Sequence, residues 1–331
     1  MAASTEITSV WKQNFLHQFE AFDSCLCHFQ IISFDTEFPG FLRNTPRLVP
    51  ENILYDNLKY NVDNLKIIQL GITLSDEIGN IGGTWEFNFS DFDEKTDAHN
   101  PSSISFLKDN GLNLNEIKEN GIPIAEFSKK FIQVLRSHQG LQWVTFHGNY
   151  DLAYLFKLVT RMSMPNSASE FARISGEIFG AIYDVKYIAQ HCHKFLDRGI
   201  GLEKMSKIFK IERHGGAHHA GSDCLLTSEL FHKLITCFDL VVSEHEGYLF
   251  GMSCRFMRKL MGRPVIRYCQ PMVVGRRPVI RYGQPIVVGR RPVVRYCQPI
   301  EVLPHPIYNF APPAVHVPPV VSANHYYVYR K

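Results

Sequence analysis

Twelve of the eighteen prolines in this 331-residue chain lie after residue 254. Proline fixes φ and removes a backbone donor, so a stretch this rich in it builds neither helices nor central strands. The asymmetry confines a packed core to residues 1–254. Inside the proline-rich stretch a fourteen-residue unit recurs over 261–302. Pro264, Pro278 and Pro292 coincide in it, as do Tyr268, Tyr282 and Tyr296, and Pro271, Pro285 and Pro299. Two prolines in every unit spoil helices and central strands alike, and residues 255–331 are expected to form an extended, mostly disordered tail. Charge divides at the same place. From Arg255 onward the net charge is +12, with Glu301 the single acid, whereas residues 1–254 carry −9. An acidic body with a basic tail points to nucleic acid. Such a tail is expected to raise RNA affinity through charge without choosing sequence, its tyrosines stacking on bases.

Residues 1–254 alternate strand-like and helix-like segments. Ile7–Phe22 has helical spacing, and Phe29–Asp35 is a short apolar run that reads as a central strand. Lys66–Leu74 and Thr84–Phe89 read as a hairpin across Gly79, Gly82 and Gly83. A helix over Ile122–Arg136, a strand over Leu141–Phe146 and a helix over Asp151–Val159 follow. A strand over Ile178–Tyr183 and helices over Leu202–Phe209 and Leu225–Ile235 complete the pattern. The expected architecture is α/β, a mixed sheet flanked by helices. Cysteines 25, 27, 192, 224, 237, 254, 269 and 297 match neither a zinc pattern nor a disulfide framework. The polar N-terminus reads as no signal peptide, and no run of eighteen apolar residues reads as a membrane span. A reducing intracellular compartment is the expectation.

The chemistry lies in widely separated acids. In Phe34-Asp35-Thr36-Glu37-Phe38 two carboxylates stand two apart at the end of an apolar strand, hence on one face. Carboxylates forced together repel unless a cation lies between them, and hard oxygen donors suit Mg²⁺ or Mn²⁺. Asp151 follows the strand ending at Phe146 and opens a helix. Asp223 opens another, with Ser222 placed to cap it, and His218 stands five residues before Asp223. An acid at a helix start is also what the helix dipole favours with no function at all. Taken together, Asp35, Glu37, Asp151 and Asp223 with His218 sit at strand ends or helix starts, where ligands bind in open α/β sheets. Two divalent ions held by such carboxylates suit phosphodiester hydrolysis, with the histidine as general base.

At these residues the sequence resembles the CAF-one deadenylases, the DEDD-type nuclease subunit of the CCR–NOT complex. The resemblance runs from about Val10 to Gly247. It is carried by Asp35–Gly40, Asn61–Leu70, Thr84–Phe89, Tyr183–Lys186 and Ala220–Thr227 in addition to the acids. It implies a ribonuclease H-like fold and a 3′→5′ exoribonuclease that shortens poly(A) tails, releasing 5′-AMP. It further implies that Asp35, Glu37 and Asp223 hold a first metal, that Asp35 bridges to a second served by Asp151, and that His218 is the base. Asp184 belongs to the family pattern as a helix-start residue, read here as structural. Implied partners are the 3′ end of poly(A) RNA, the NOT scaffold and an endonuclease-fold deadenylase, with cytoplasm and nucleus as expected locations. The repeat tail departs from the family's short end. A catalytically silent nuclease-like scaffold or RNA-binding subunit is the alternative, and a different DEDD activity on DNA or structured RNA a third.

Overall fold

The computed structural model describes residues 6–46, 49–192 and 200–258; the repeat at 261–302, the rest of the tail beyond Arg258, Cys269 and Cys297 lie outside them. Strand β1 (Ile7–Val10) precedes α1 (Phe15–Cys25), β2 (Ile31–Glu37) and α2 (Glu51–Asn64). The hairpin β3 (Gln69–Ser75) and β4 (Ile81–Asn88) leads to α3 (Pro101–Asp109), α4 (Leu114–Asn120) and α5 (Ile124–Ser137). Then come β5 (Gln142–Thr145), α6 (Asn149–Thr160), α7 (Ala168–Phe179), β6 (Ala181–Asp184), α8 (Val185–Ala189), α9 (Leu202–Ile208) and α10 (Ala220–Phe238). The six strands form one sheet in the order β1-β4-β3-β2-β5-β6. Strands β2, β3 and β4 pair antiparallel, while β1 on β4, β5 on β2 and β6 on β5 are parallel. This is the mixed α/β sheet expected, with the hairpin turning through Gly79.

The two faces of the sheet differ. Ile32 and Phe34 of β2, Leu70, Ile72 and Leu74 of β3, and Trp85 and Phe87 of β4 pack with Phe15, Phe19, Phe22, Phe127 and Phe131 of α1 and α5 in the main core. The opposite face of β3 carries Gln69, Gly71, Thr73 and Ser75, all buried although none is a large apolar residue. Helix α10 lies along this row. The backbone N–H of Ala220 donates to Gln69 Oε1, Thr73 Oγ1 lies 3.2 Å from Cys224 Sγ, and Ser75 Oγ meets both Ser228 Oγ and His232 Nε2. Four helical residues rise about 6 Å and two strand residues about 6.7 Å, so the two rows stay nearly in step. Small polar side chains let the helix backbone approach, and their hydrogen bonds offset the cost of burying them.

Several elements differ from their sequence expectation. Ile7–Val10 is an edge strand, not the start of a helix. The apolar spacing of Phe15, Phe19 and Phe22 belongs to α1, and β1 is held by pairing with Thr84–Phe87, 77 residues away in the chain. Ile178 closes α7 rather than opening a strand, and Gly180 at φ +78° ends that helix. Gly82 and Gly83 lie within β4, where a side chain on Gly82 would strike the Phe29 ring. Helix α10 starts at Ala220, so Asp223 is its fourth residue. Ser222 does not cap it: its hydroxyl donates to His214 O. The leading N–H groups of α10 go instead to Gln69 and Glu86 from the sheet, Gly221 N donating to Glu86 Oε2 at 3.1 Å. Among the described residues six cysteines are free thiols and no helix is long and apolar enough to cross a membrane.

Gly71 is the closest approach of helix and strand: a Cβ there would sit 1.9 Å from Ala220 O. Gly71→Val is expected to lower the free energy of unfolding by about 1–3 kcal/mol through overpacking, read as a reduced urea midpoint. An unchanged midpoint would mean that α10 stands off the sheet.

Candidate metal centre

Strand β2 sets the geometry. Its residues alternate between faces, so Asp35 and Glu37 share the α10 side with Ile31, and Thr36 shares the other side with Ile32 and Phe34. Asp35 pairs across the ladder with Gly71. The absent side chain that lets α10 come down on β3 therefore lies directly beside Asp35, and one turn into α10 stands Asp223. Asp35, Glu37 and Asp223 each offer a carboxylate oxygen, and these oxygens all lie within 4.8 Å of one another. Asp35 is fully buried, Asp223 is 1% exposed and Glu37 8%. Three buried oxygen donors, two from β2 and one from α10, are the donor set of a hard divalent cation, and the residues present fit one.

Asp151 arrives from the other side of β2. It is the third residue of α6, and its Oδ1 accepts from the Thr36 backbone N–H at 2.9 Å and from Thr36 Oγ1 at 2.6 Å. Thr36 thus joins Asp151 to the segment that carries Asp35 and Glu37, although Asp151 is not one of the three clustered carboxylates. His218 has a left-handed backbone at φ +61°, and its ring meets that of Phe106 edge-on at 4.6 Å. It lines a cleft with Thr36 and Glu37. All five expected site residues therefore gather around the end of β2. His219 turns elsewhere, its Nε2 against Asn110 O.

Asp184 has a different environment. Its Oδ1 accepts the N–H groups of His147, Lys186 and Tyr187, and its Oδ2 those of Gly148 and Phe250. It caps α8 and fastens the turn that starts α6 to the segment around Phe250. Burial pushes its carboxyl above the ordinary range, against the pull of these donors. With both oxygens committed to the backbone, Asp184 is structural, as its sequence position implied.

Arg213 carried no signal in the sequence. It stands ten residues before Asp223 in a segment with no periodicity. Its Nη1 donates to Asp223 Oδ1 and to Ser222 Oγ, and its Nε to Glu203 Oε2 of α9. Burial disfavours the guanidinium charge, yet Asp223 and Glu203 outweigh this and raise its pKa above the ordinary value. The pairing orients Asp223 toward Asp35 as an outer partner orients a metal ligand. Removing one member of a buried pair strands the other. Arg213→Ala is expected to destabilise the metal-free protein by about 3–5 kcal/mol, measured by chemical denaturation in chelator, with Arg213→Lys intermediate because an ammonium lacks the planar fork.

The model of the CAF1 family ribonucleases matches residues 10–130. Over 240 residues the chain is 44% identical to probable CCR4-associated factor 1 homolog 5 of Arabidopsis thaliana, spanning 72% of this chain and 84% of that protein. It is 36% identical over 234 residues to the poly(A) ribonuclease pop2 of Schizosaccharomyces pombe, spanning 69% of each. Among solved structures it is similar to S. pombe Pop2p in its Mg²⁺- and Mn²⁺-bound form, with a TM-score of 0.69, 34% identity, and 74% and 99% of the two chains covered. It is also similar to a chain in the structure of the yeast NOT1 MIF4G domain co-crystallised with CAF1, with a TM-score of 0.64, 25% identity, and 74% and 96% of the two chains covered.

Proposed function

Because the chain belongs to the CAF1 family of ribonucleases, we propose that it is a divalent-metal-dependent 3′→5′ exoribonuclease that shortens messenger RNA poly(A) tails and releases 5′-AMP, acting within the CCR–NOT complex. The observation that carries the reading is the convergence of Asp35, Glu37 and Asp223 within 4.8 Å, on a chain similar to a Mg²⁺- and Mn²⁺-bound poly(A) nuclease.

In this reading Asp35, Glu37 and Asp223 would hold one ion, and Asp35 with Asp151 would serve a second. When bound, such ions lower the pKa of a water and neutralise charge building on the phosphate and the leaving oxygen. The protein's own groups do the rest. Thr36 fixes the Asp151 carboxylate through two donors and so sets its orientation toward the end of β2. Arg213 does the same for Asp223. His218, held beside Glu37 at the cleft, accepts the proton of the attacking water on its imidazole. Burial of the carboxylates excludes bulk water and strengthens each electrostatic contact.

The yeast relative crystallised with the NOT1 MIF4G domain supports docking on a NOT scaffold. We further propose that an endonuclease-fold deadenylase joins the same assembly and that the protein acts in both cytoplasm and nucleus.

The test is a time course on a 5′-labelled RNA ending in adenosines. Wild type with Mn²⁺ or Mg²⁺ is expected to yield a one-nucleotide ladder receding from the 3′ end, and chelator is expected to abolish it. Asp35→Ala is expected to lose activity by about a hundred- to a thousandfold, the range seen when charge stabilisation at a reacting centre is removed, with its circular dichroism unchanged. An intact substrate with metal-loaded wild type would defeat the enzyme reading and favour a silent scaffold.

A further inference from the structure

Strands β2, β5 and β6 are adjacent and parallel, so their carboxyl ends open on one edge of the sheet. The clustered acids stand at the end of β2. The end of β6 lies two strand spacings away, roughly 10 Å. It carries a second group of side chains that the chemistry above does not use.

This group is made of rings and cations. Tyr187 of α8 and Tyr248 stack at 5.1 Å and 11°. The ring of His191 lies 4.7 Å from that of Tyr187, and the ring of His245 5.1 Å from that of His191. The Arg255 guanidinium sits 4.7 Å from the centre of the Tyr248 ring, and its Nε donates to Glu246 O. Toward β5, Lys186 Nζ lies 4.6 Å from the centre of the Phe250 ring and 3.3 Å from His147 Nδ1. His191 and Arg255 are exposed, whereas Tyr187, Tyr248 and His245 are half-buried. The group is fixed to the frame that holds Asp151. Gly247 N donates to Ile182 O of β6, Phe250 N donates to Asp184 Oδ2, and Asn149 Nδ2, at the start of α6, donates to Phe250 O.

Charge indicates what covers these rings. Residues 1–254 carry a net −9, yet among the described residues neither Lys186 nor Arg255 has an ion-pair partner. Of the neighbouring acids, Asp184 gives both oxygens to backbone N–H groups, and Glu246 pairs with Arg258 at 2.9 Å. Arg255 also opens the segment whose net charge is +12. Cations beside stacked rings suit a single strand, whose phosphates follow the charge while its bases stack on any π-face. Stacked nucleotides advance about 3.4 Å each, so 10 Å spans roughly three of them. Resting on the exonuclease reading above, we propose that Tyr187, Tyr248 and Arg255, approached past Lys186, form a stacking platform for the RNA strand roughly three nucleotides upstream of the cleavage site. The platform holds the body of the substrate while its 3′ end is cut.

The experiment is steady-state kinetics on a long oligo(A) and on the dinucleotide ApA, which is too short to span both places. Tyr248→Ala is expected to raise KM for the long RNA on the order of tenfold, with a smaller change in kcat and an unchanged melting temperature. Tyr248→Phe, which keeps the ring face, restores KM. On ApA wild type and Tyr248→Ala converge, because no base reaches the platform in either. Arg255→Gln is expected to lower the slope of log KM against log salt for the long RNA by about 0.7, the loss of one phosphate contact. Equal KM for wild type and Tyr248→Ala on the long RNA overturns RNA as the occupant and leaves the patch to a protein partner. An equal rise on both substrates overturns the platform as well, since the change then reaches the acids through the fold. A wild type that cuts neither substrate removes the exonuclease reading. Fluorescence anisotropy with labelled oligo(A) then decides the platform separately: weaker binding by Tyr248→Ala supports it, and equal binding overturns it.

Discussion

The contact on which the rest depends is that of α10 with the polar face of β3. Helix and strand advance nearly in step, Ala220 against Gln69, Cys224 against Thr73 and Ser228 against Ser75. Gly71 is the point where nothing intervenes. Because Gly71 pairs with Asp35, the approach of the helix and the assembly of the carboxylates are one event. A bulky apolar residue anywhere in that row would strengthen burial in the ordinary sense, yet lift α10 and carry Asp223 out of reach. The row is instead small and hydrogen-bonded, and the apolar surface is placed on the opposite face, where the phenylalanines of α1 and α5 fill it. Stability and site geometry are thus divided between the two sides of one sheet.

Gathering the acids costs electrostatic energy that the scaffold must supply. Three carboxylates within a few ångströms repel strongly in a medium of low dielectric. The structure meets this with rigid partners. Arg213 takes one oxygen of Asp223 and anchors to Glu203, and Thr36 takes Asp151 with two donors. Each of these partners belongs to a different element from the acid it holds, so the site closes only when the whole domain does.

Much of this was legible beforehand. The mixed sheet, the hairpin and the run of apolar residues ending in Asp35 and Glu37 follow from local pattern, as does the face those two acids share. What was hidden depends on distance along the chain. β1 has no signal of its own because four residues take their conformation from a partner strand 77 residues on. Gln69, Gly71, Thr73 and Ser75 gave no sign of being buried, because a polar row reads as solvent-facing until the helix that covers it is known. The capping of α10 by Gln69 and Glu86 was invisible for the same reason: a cap supplied from the sheet leaves no mark next to the helix.

Asp151 and Asp184 show why sequence alone left the roles of helix-start acids open. Both follow a strand, both lie at the beginning of a helix, and both are almost completely buried. A carboxylate has roughly four acceptor directions. Asp184 fills its own with backbone N–H groups drawn from three separate segments, which leaves it no capacity for a cation and makes it a fastening. Asp151 accepts on Oδ1 both donors of the residue that separates Asp35 from Glu37. The two acids differ in who donates, and the donor that ties Asp151 to Asp35 and Glu37 is the one residue of the Asp-Thr-Glu motif that carries no charge.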